Sequence, residues 1–130
     1  MDSAEFARLR KWLGKTQEAM SQLLGVSVRA IHSYEQGWRS VPVHVERQVL
    51  FLVARKLRGN RKQKPCWTVL SCPRETRHAC PAWEYRIGDM CWFIAGTHCK
   101  GVVQICWEEK MALCRECEML LPILAPDKSM

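Results

Sequence analysis

The sequence lacks several features that would assign it to common classes of protein. Its 130 residues contain no apolar run of about 18 residues or more, the length that crosses a lipid bilayer. The first residues, MDSAEFARLRKWL, lack the apolar stretch of a secretory signal peptide. No glycine-rich phosphate loop occurs, and no nucleophile stands beside a base in a recognisable local motif. These absences predict a cytoplasmic protein that is not embedded in a membrane and is not an enzyme.

The first half of the chain also has few acidic residues and no cysteine. Residues 1–64 contain 13 Lys and Arg but only 5 Asp and Glu, a net charge of +8, whereas residues 65–130 contain 7 and 8, a net charge of −1. All 8 cysteines lie in the second half. A chain of this length can hold two small domains, and the uneven composition predicts two. The basic half is the candidate for binding nucleic acid.

The segment from Thr16 to Gly37 has the pattern of two short helices joined by a tight turn. Thr16 and Ser27 suit the N-cap positions of the two helices, and Gly25 suits the left-handed residue that ends the first one. Apolar residues at helical spacing are expected to face inward in both helices: Met20, Leu23 and Leu24, then Val28, Ile31 and Tyr34.

The opposite face of the second helix is polar. Its side chains, which recur at i, i+3, i+4 and i+7, are Arg29, His32, Ser33 and Gln36. Hydrogen-bonding side chains on a short, braced helix are what reading base edges in a DNA major groove requires. On spacing alone, the alternative is an ordinary helical hairpin without a binding role.

Two further helices are expected to complete an all-α domain of four helices over residues 1–57. The first covers residues 3–13, with Ser3 as a possible N-cap and an inward apolar stripe. The last covers about residues 42–57, and Pro42 suits its first turn because a proline there forfeits no intrahelical hydrogen bond.

Two segments outside the helices carry predictions of their own. Trp38, just after the polar helix, is expected to pack against the helical core, with contact to a sugar or a partner subunit as the alternatives. The basic stretch that follows the last helix has no acidic residue, and it predicts a linker over residues 58–65. Such a linker either follows a phosphate backbone or stays solvated.

Further residues stand in a fixed order in and around this segment. They are Thr16-Gln17 opening the first helix, Ser21 at the helix crossing, Gly25-Val26 in the turn, Ile31 and Tyr34 as core anchors, and Glu35-x-Gly37 followed by Arg39 and Pro42. In this order they resemble the helix-turn-helix of the Cro and phage-repressor class, over roughly residues 5 to 57. The resemblance implies a transcriptional regulator that binds double-stranded DNA.

The resemblance also implies roles for individual residues. Arg29, His32 and Ser33 would face the bases. The residues that would hold phosphates are Gln17, Gln36, Arg39 and Ser40. Val28 stands where the class often has a polar base reader, so this side chain can only contact a thymine methyl group or pack.

Cysteines at uneven intervals organise the second half of the chain. Only Cys114 and Cys117 have the two-residue spacing of a zinc knuckle, which disfavours a zinc ribbon with two paired CxxC motifs. Five cysteines precede Trp or Pro: Cys66-Trp67, Cys72-Pro73, Cys80-Pro81, Cys91-Trp92 and Cys106-Trp107. Such bulky neighbours exclude water from a thiolate, and that shell protects a metal cluster.

Five elements stand in order over residues 66–119: Cys66-Trp67, Cys80-Pro81-Ala82-Trp83, Cys91-Trp92, Gly96-Thr97-His98-Cys99 and Cys114-x-x-Cys117. In this order they resemble the small bacterial two-CW cysteine module. The resemblance implies a shared metal or iron–sulfur site without naming its ligands. The candidate ligands are Cys66, Cys72, Cys80, Cys91, Cys99, Cys114 and Cys117. Cys106 lies outside the pattern and is expected to be a buried small hydrophobe.

Three interpretations of the seven cysteines compete. An iron–sulfur cluster, [4Fe–4S], fits the scattered spacing, the ring neighbours and a reducing cytoplasm. Structural zinc is the alternative cofactor, because a small domain with a modest core needs a staple. Disulfide switching is the third. His78 and His98 adjoin cysteines, and each is expected to be a hydrogen-bonding neighbour rather than a ligand.

These patterns together predict a four-helix, all-α helix-turn-helix domain followed by a small, loop-rich cysteine domain stapled by a metal or cluster. Residues 120–130 are expected to form a docking segment or a frayed tail. The predicted function is sequence-specific transcriptional regulation by a homodimer whose geometry the cysteine site alters when its metal or redox state changes. The alternative is a metal-binding or electron-carrier module whose helical domain is an adaptor for protein partners.

Overall fold

A computed structural model of the chain describes residues 1–58, 64–99, 102–103 and 105–126. The described residues form two compact units, 1–58 and 64–125. Most of the predicted linker, residues 59–63, lies outside the described residues.

Four α-helices make up the N-terminal unit, residues 1–58. They are α1 (Ser3–Trp12), α2 (Gln17–Leu24), α3 (Val28–Gln36) and α4 (Val43–Arg58). Their apolar faces meet in a core whose fully buried side chains include Phe6, Leu9, Met20, Ile31, Val45 and Val49. The rings of Phe6 and Tyr34 pack edge to face with their centroids 5.6 Å apart, and this contact fixes α1 against α3. The prediction of a helical N-terminal domain is confirmed.

The turn between α2 and α3 has the predicted caps. Thr16 and Ser27 each accept a hydrogen bond from the backbone N–H three residues later, at 3.0 Å in both cases. Gly25 ends α2 with a φ of 68°, a left-handed conformation that costs glycine little. Because both caps are satisfied, the short connection holds α3 in a defined orientation on α2.

Three expectations about the N-terminal unit are wrong. Asp2, not Ser3, caps α1, since its Oδ1 accepts the Glu5 N–H at 2.8 Å. Leu23 and Val28 do not face inward but are 50% and 44% exposed. The buried positions of the two helices are instead Met20, Ser21 and Leu24 on α2 and Ala30, Ile31 and Tyr34 on α3. The small side chains of Ser21 and Ala30 are buried, at 6% and 5% exposure, while the larger Leu23 and Val28 are not.

Short elements make up the C-terminal unit, residues 64–125. The helices are α5 (Cys66–Val69), α6 (Arg74–Ala79), α7 (Pro81–Glu84), α8 (Trp107–Cys114) and α9 (Leu121–Leu124), with a 3₁₀ helix over Gly88–Phe93. A short antiparallel ladder joins β1 (His98–Cys99) to β2 (Val102–Val103). Within the described part of this unit the longest helix, α8, has 8 residues.

The core of the C-terminal unit reaches further along the chain than predicted. Leu120 and Ile123 are no more than 1% exposed, so the apolar part of residues 120–130 behaves as the docking segment, the first of the two alternatives, and not as a frayed tail. Pro122 sits in the first turn of α9, where a proline is compatible with the helix. Residues 127–130, the polar end of the predicted tail, lie outside the described residues.

Gly88 marks a close approach between the 3₁₀ helix and α5. A Cβ atom at this position would lie 2.6 Å from Pro65 Cβ and 2.6 Å from a ring carbon of Trp67. No larger residue fits without displacing backbone or ring. The approach brings Cys91, on the 3₁₀ helix, next to Cys66, at the start of α5.

Candidate functional site

The outer face of α3 is the candidate surface for DNA. Arg29, His32 and Gln36 are exposed and Ser33 is half-buried, so the structure places these predicted contacts on one side of the helix. Exposed Val28 begins the same helix and offers an apolar contact beside them. The side chains on this face can hydrogen-bond to base edges or phosphates.

The loop after α3 extends this surface. Arg39 and Ser40 are exposed, as phosphate contacts need to be. The expectation that Trp38 packs against the core is wrong, since this side chain is 72% exposed. Its ring instead meets the His32 ring edge to face, with centroids 5.3 Å apart. Trp38 follows the left-handed Gly37, which turns the chain away from the core at this point.

Glu35 joins three helices behind the outer face of α3. Its carboxylate accepts two hydrogen bonds from the Arg10 guanidinium of α1, one of them at 3.0 Å, and one from Gln17 Nε2 of α2 at 3.3 Å. Burial alone would raise the pKa of Glu35, but the Arg10 and Gln17 hydrogen bonds and the charges of Arg10 and Lys11 outweigh it, so the pKa lies below its ordinary value. Gln17, predicted to hold a phosphate, thus has an internal partner as well.

Replacing Glu35 by glutamine is expected to lower the free energy of unfolding at neutral pH by about 1–3 kcal/mol, because the Arg10 guanidinium loses its charged partner. The pKa of Glu35 is lower in the folded state than in the unfolded state, where it is about 4.3. The ionised side chain therefore contributes its full stabilisation of the fold above the unfolded-state pKa, and this stabilisation is lost as the pH falls through the folded-state pKa. The difference between wild type and Glu35→Gln in urea unfolding should therefore shrink below about pH 5. Glu18→Gln, at an exposed position of α2, is the control. The free energy of unfolding of this variant should differ from that of wild type by close to zero at every pH.

A cysteine-lined cavity is the main feature of the C-terminal unit. It has a volume of about 460 Å³, and five of the predicted ligands line it: Cys66, Cys72, Cys80, Cys91 and Cys99. Cys117 packs against a buried cluster that contains Cys80 and Cys91. Burial raises the pKa of Cys114, and the charges of Cys99 and Cys117 raise it further. The structure thus places five of the seven predicted ligands around one cavity and a sixth, Cys117, against the cluster that contains two of them.

The cysteine neighbourhood is open rather than convergent. All 8 cysteines are free thiols. Among the described residues, no three His, Cys, Asp or Glu side chains converge closely enough to hold a single metal ion. A zinc site would need four ligands at about 2.0–2.3 Å from one point.

Several sulfur atoms of the cluster have hydrogen-bond partners of the kind that stabilise thiolates. The His98 backbone N–H donates to Cys80 Sγ at 3.3 Å, and the Met119 N–H lies 3.5 Å from Cys117 Sγ. Hydrogen bonds to sulfur adjust the potential of a thiolate-bound metal. His98 therefore contributes through its backbone, as a neighbour of the thiols.

A hydrogen bond joins the side chains of Cys66 and Cys91. The hydrogen bond from Cys91 lowers the pKa of the Cys66 thiol, and the same bond, together with burial, raises the pKa of Cys91. Cys66 is therefore the first of the two to ionise, with the Cys91 S–H as the donor. Burial raises the pKa of Cys72 as well, and it raises the pKa of Cys114 to about 11.

Aromatic and cationic groups cover one side of the cavity. The Trp83 ring stacks on the His78 ring with centroids 4.9 Å apart and meets the Trp67 ring edge to face at 4.9 Å. The Arg86 guanidinium lies 4.1 Å from the Trp83 centroid. His78 is thus held by stacking on a ring.

Cys106 and Lys110 show where the sequence interpretation was incomplete. Cys106 is half-buried rather than buried, and it precedes α8 instead of lining the cavity.

Lys110 was not singled out from the sequence, yet it is fully buried and lies one helical turn before Cys114 on α8. The only sequence pattern that could have pointed to it is this i, i+4 spacing to a cysteine.

Comparison with known proteins bears on the N-terminal unit. A family model described as a helix-turn-helix domain matches residues 3–60, which is less than half of the chain. This match supports the helix-turn-helix class of DNA-binding regulators. No curated protein and no solved structure matches the chain. In the described ranges, no helix is long and apolar enough to cross a lipid bilayer.

Proposed function

We propose that the chain is a sequence-specific transcriptional regulator that reads duplex DNA with α3. The observation that carries this proposal is the exposed face of α3, on which Arg29, His32 and Gln36 project from a helix fixed by its caps and by Glu35. A rigid helix holds base-contacting groups in register with the major groove. Arg39 and Ser40, in the loop that follows, supply contacts to phosphates.

The regulator acts as a homodimer in this proposal. The outer face of α3 offers few side chains, and only Arg29 among the proposed base readers provides a bidentate donor for guanine. A second copy doubles the contacts and requires half-sites about 34 Å apart, or a multiple of that spacing, on one side of the duplex.

The cysteine neighbourhood binds an iron–sulfur cluster in this proposal, with zinc as the second choice. The chemistry of the donor set supports this, because five thiols line one cavity and backbone N–H groups donate to two sulfurs, those of Cys80 and Cys117. Four of the seven cysteines would be ligands, and the Trp67 and Trp83 rings exclude water on one side. When bound, such a cluster supplies a one-electron redox change that the chain itself cannot make.

The full-length protein, purified without oxygen, tests both parts. We expect brown protein that absorbs light at about 400 nm and contains iron and sulfide in similar amounts. We also expect selection from a random duplex library to yield a two-fold symmetric site that is bound with strong salt dependence. Colourless protein with stoichiometric zinc would make the site structural, and protein that binds duplexes without sequence preference would contradict the assignment of α3.

An adaptor function is the second candidate, because the N-terminal unit exposes apolar side chains. Leu23, Val28 and Trp38 are 50%, 44% and 72% exposed, and a protein partner could cover them. The same binding assay separates the two functions. An adaptor with an electron-carrier module would be redox-active in solution and show no salt-dependent binding to duplex DNA.

A further inference from the structure

Lys110 is a charged side chain with no exposure to solvent. Its Nζ donates a hydrogen bond to Thr97 Oγ1 at 2.7 Å, and Thr97 is itself only 1% exposed. Moving an ammonium group out of water costs several kcal/mol unless negative charge lies nearby. The position of Lys110 therefore calls for an anionic neighbourhood in the working state of the protein.

Cysteines surround this ammonium group. Lys110 and Cys114 lie one turn apart on α8, and their side chains are hydrogen-bonded. Thr97 Oγ1 lies 3.4 Å from Cys99 Sγ, so one hydroxyl links the ammonium to a second cysteine. Lys110 therefore contacts one predicted ligand, Cys114, directly and reaches a second, Cys99, through the Thr97 hydroxyl.

We propose that Lys110 is a positioning residue that supplies a fixed positive charge to the thiolate site, held in place by Thr97. The inference rests on the proposed cofactor. Four thiolates around a divalent metal or a [4Fe–4S] cluster carry a net charge of about −2 in the oxidised state. An ammonium group that no water can screen offsets part of that charge.

The charge has two measurable consequences. Because it stabilises the anionic complex, it slows the loss of metal from the site. Reduction of a cluster by one electron adds one more negative charge, so a nearby ammonium also favours the reduced form and raises the reduction potential. If Lys110 only filled space in the core, an apolar side chain of equal length would give the same rate of metal loss and the same reduction potential.

Lys110→Met tests this role in the full-length protein, because methionine keeps an unbranched side chain and removes the charge. Lys110→Arg keeps the charge, and Lys11→Met removes a charge from an exposed position of α1. The measurements are the rate at which a chelator extracts iron or zinc and, for iron, the midpoint potential in a dithionite titration. We expect Lys110→Met to lose metal at least about tenfold faster and to have a more negative potential. Lys110→Arg and Lys11→Met should stay within about twofold of wild type in extraction rate.

The outcomes separate this inference from the proposed cofactor. Wild-type protein that binds neither iron nor zinc would overturn both. Equal metal retention and equal potential in wild type and Lys110→Met would overturn the role of Lys110 alone. If Lys110→Met does not fold, as judged by circular dichroism, Thr97→Val provides the test, since it leaves the charge but removes its hydrogen-bond acceptor. A folded Thr97→Val protein with wild-type retention and potential would equally contradict the proposal.

Discussion

Replacing Arg29 by alanine is expected to weaken binding to the selected duplex by about fivefold to 150-fold, which corresponds to the roughly 1–3 kcal/mol of one bidentate base contact. Binding to random duplexes should change little, because Arg29 lies on the outer face of α3 and is assigned to bases rather than phosphates. The measurement is fluorescence anisotropy with both duplexes over a range of salt concentrations. The expected result is a loss of discrimination at an unchanged salt slope.

Arg39→Ala is the matched control, because it removes the same side chain from the loop after α3. Arg39 is exposed and is assigned to a phosphate, so its loss should weaken both duplexes alike and reduce the salt slope by about one. If Arg29→Ala and Arg39→Ala behave identically on both duplexes, the assignment of base-reading roles to α3 is wrong. Circular dichroism should show unchanged helix content in both variants, since neither side chain is buried.

The second large effect is expected at Cys91. This side chain is 2% exposed, lines the cavity and is hydrogen-bonded to Cys66, so it is a candidate ligand of the proposed site. Cys91→Ala should retain less than about a tenth of the iron or zinc found in wild-type protein, because loss of one thiolate opens the site to water and chelators. The measurement is metal content per chain after gel filtration without oxygen.

Cys106→Ala is the control for Cys91→Ala, because Cys106 carries the same thiol outside the cavity. Its metal content should equal that of wild type. A full complement of metal in Cys91→Ala would remove this residue from the ligand set. Equal losses in both variants would indicate that the C-terminal unit tolerates no cysteine replacement, and the ligand assignment would then fail.

The sequence predicted the elements of the N-terminal unit because their determinants are local. Caps at Thr16 and Ser27, and a glycine at position 25, need only neighbouring residues to act. The orientation of the helices depends on packing between segments, so it was predicted less well. Leu23 and Val28 were expected inside because periodicity treats all apolar residues alike, whereas the structure buries the smaller Ser21 and Ala30 and leaves Leu23 and Val28 exposed.

The cysteine neighbourhood follows only in part from the sequence. Order along the chain indicated seven candidate ligands, of which five line the cavity, whereas Cys106 does not. Lys110 and Thr97 are separated by 12 intervening residues, and nothing local indicates that their side chains meet in the interior. Trp38 likewise could not be placed, because its exposure depends on the turn at Gly37 rather than on its own hydrophobicity.

The shortness of the helices in the C-terminal unit has a consequence for dissection of the protein. A helix of 4–8 residues does not persist by itself in water, since isolated helices shorter than about 12–15 residues are marginal. Each piece of residues 64–125 is therefore ordered only by the others. A single backbone cut anywhere between α5 and α9 should make the rest of the unit susceptible to protease, so limited proteolysis should remove it as a whole. If the chain is shortened progressively from its C-terminus, the unit should consequently lose its structure and its function in one step, when α9 is removed, rather than gradually.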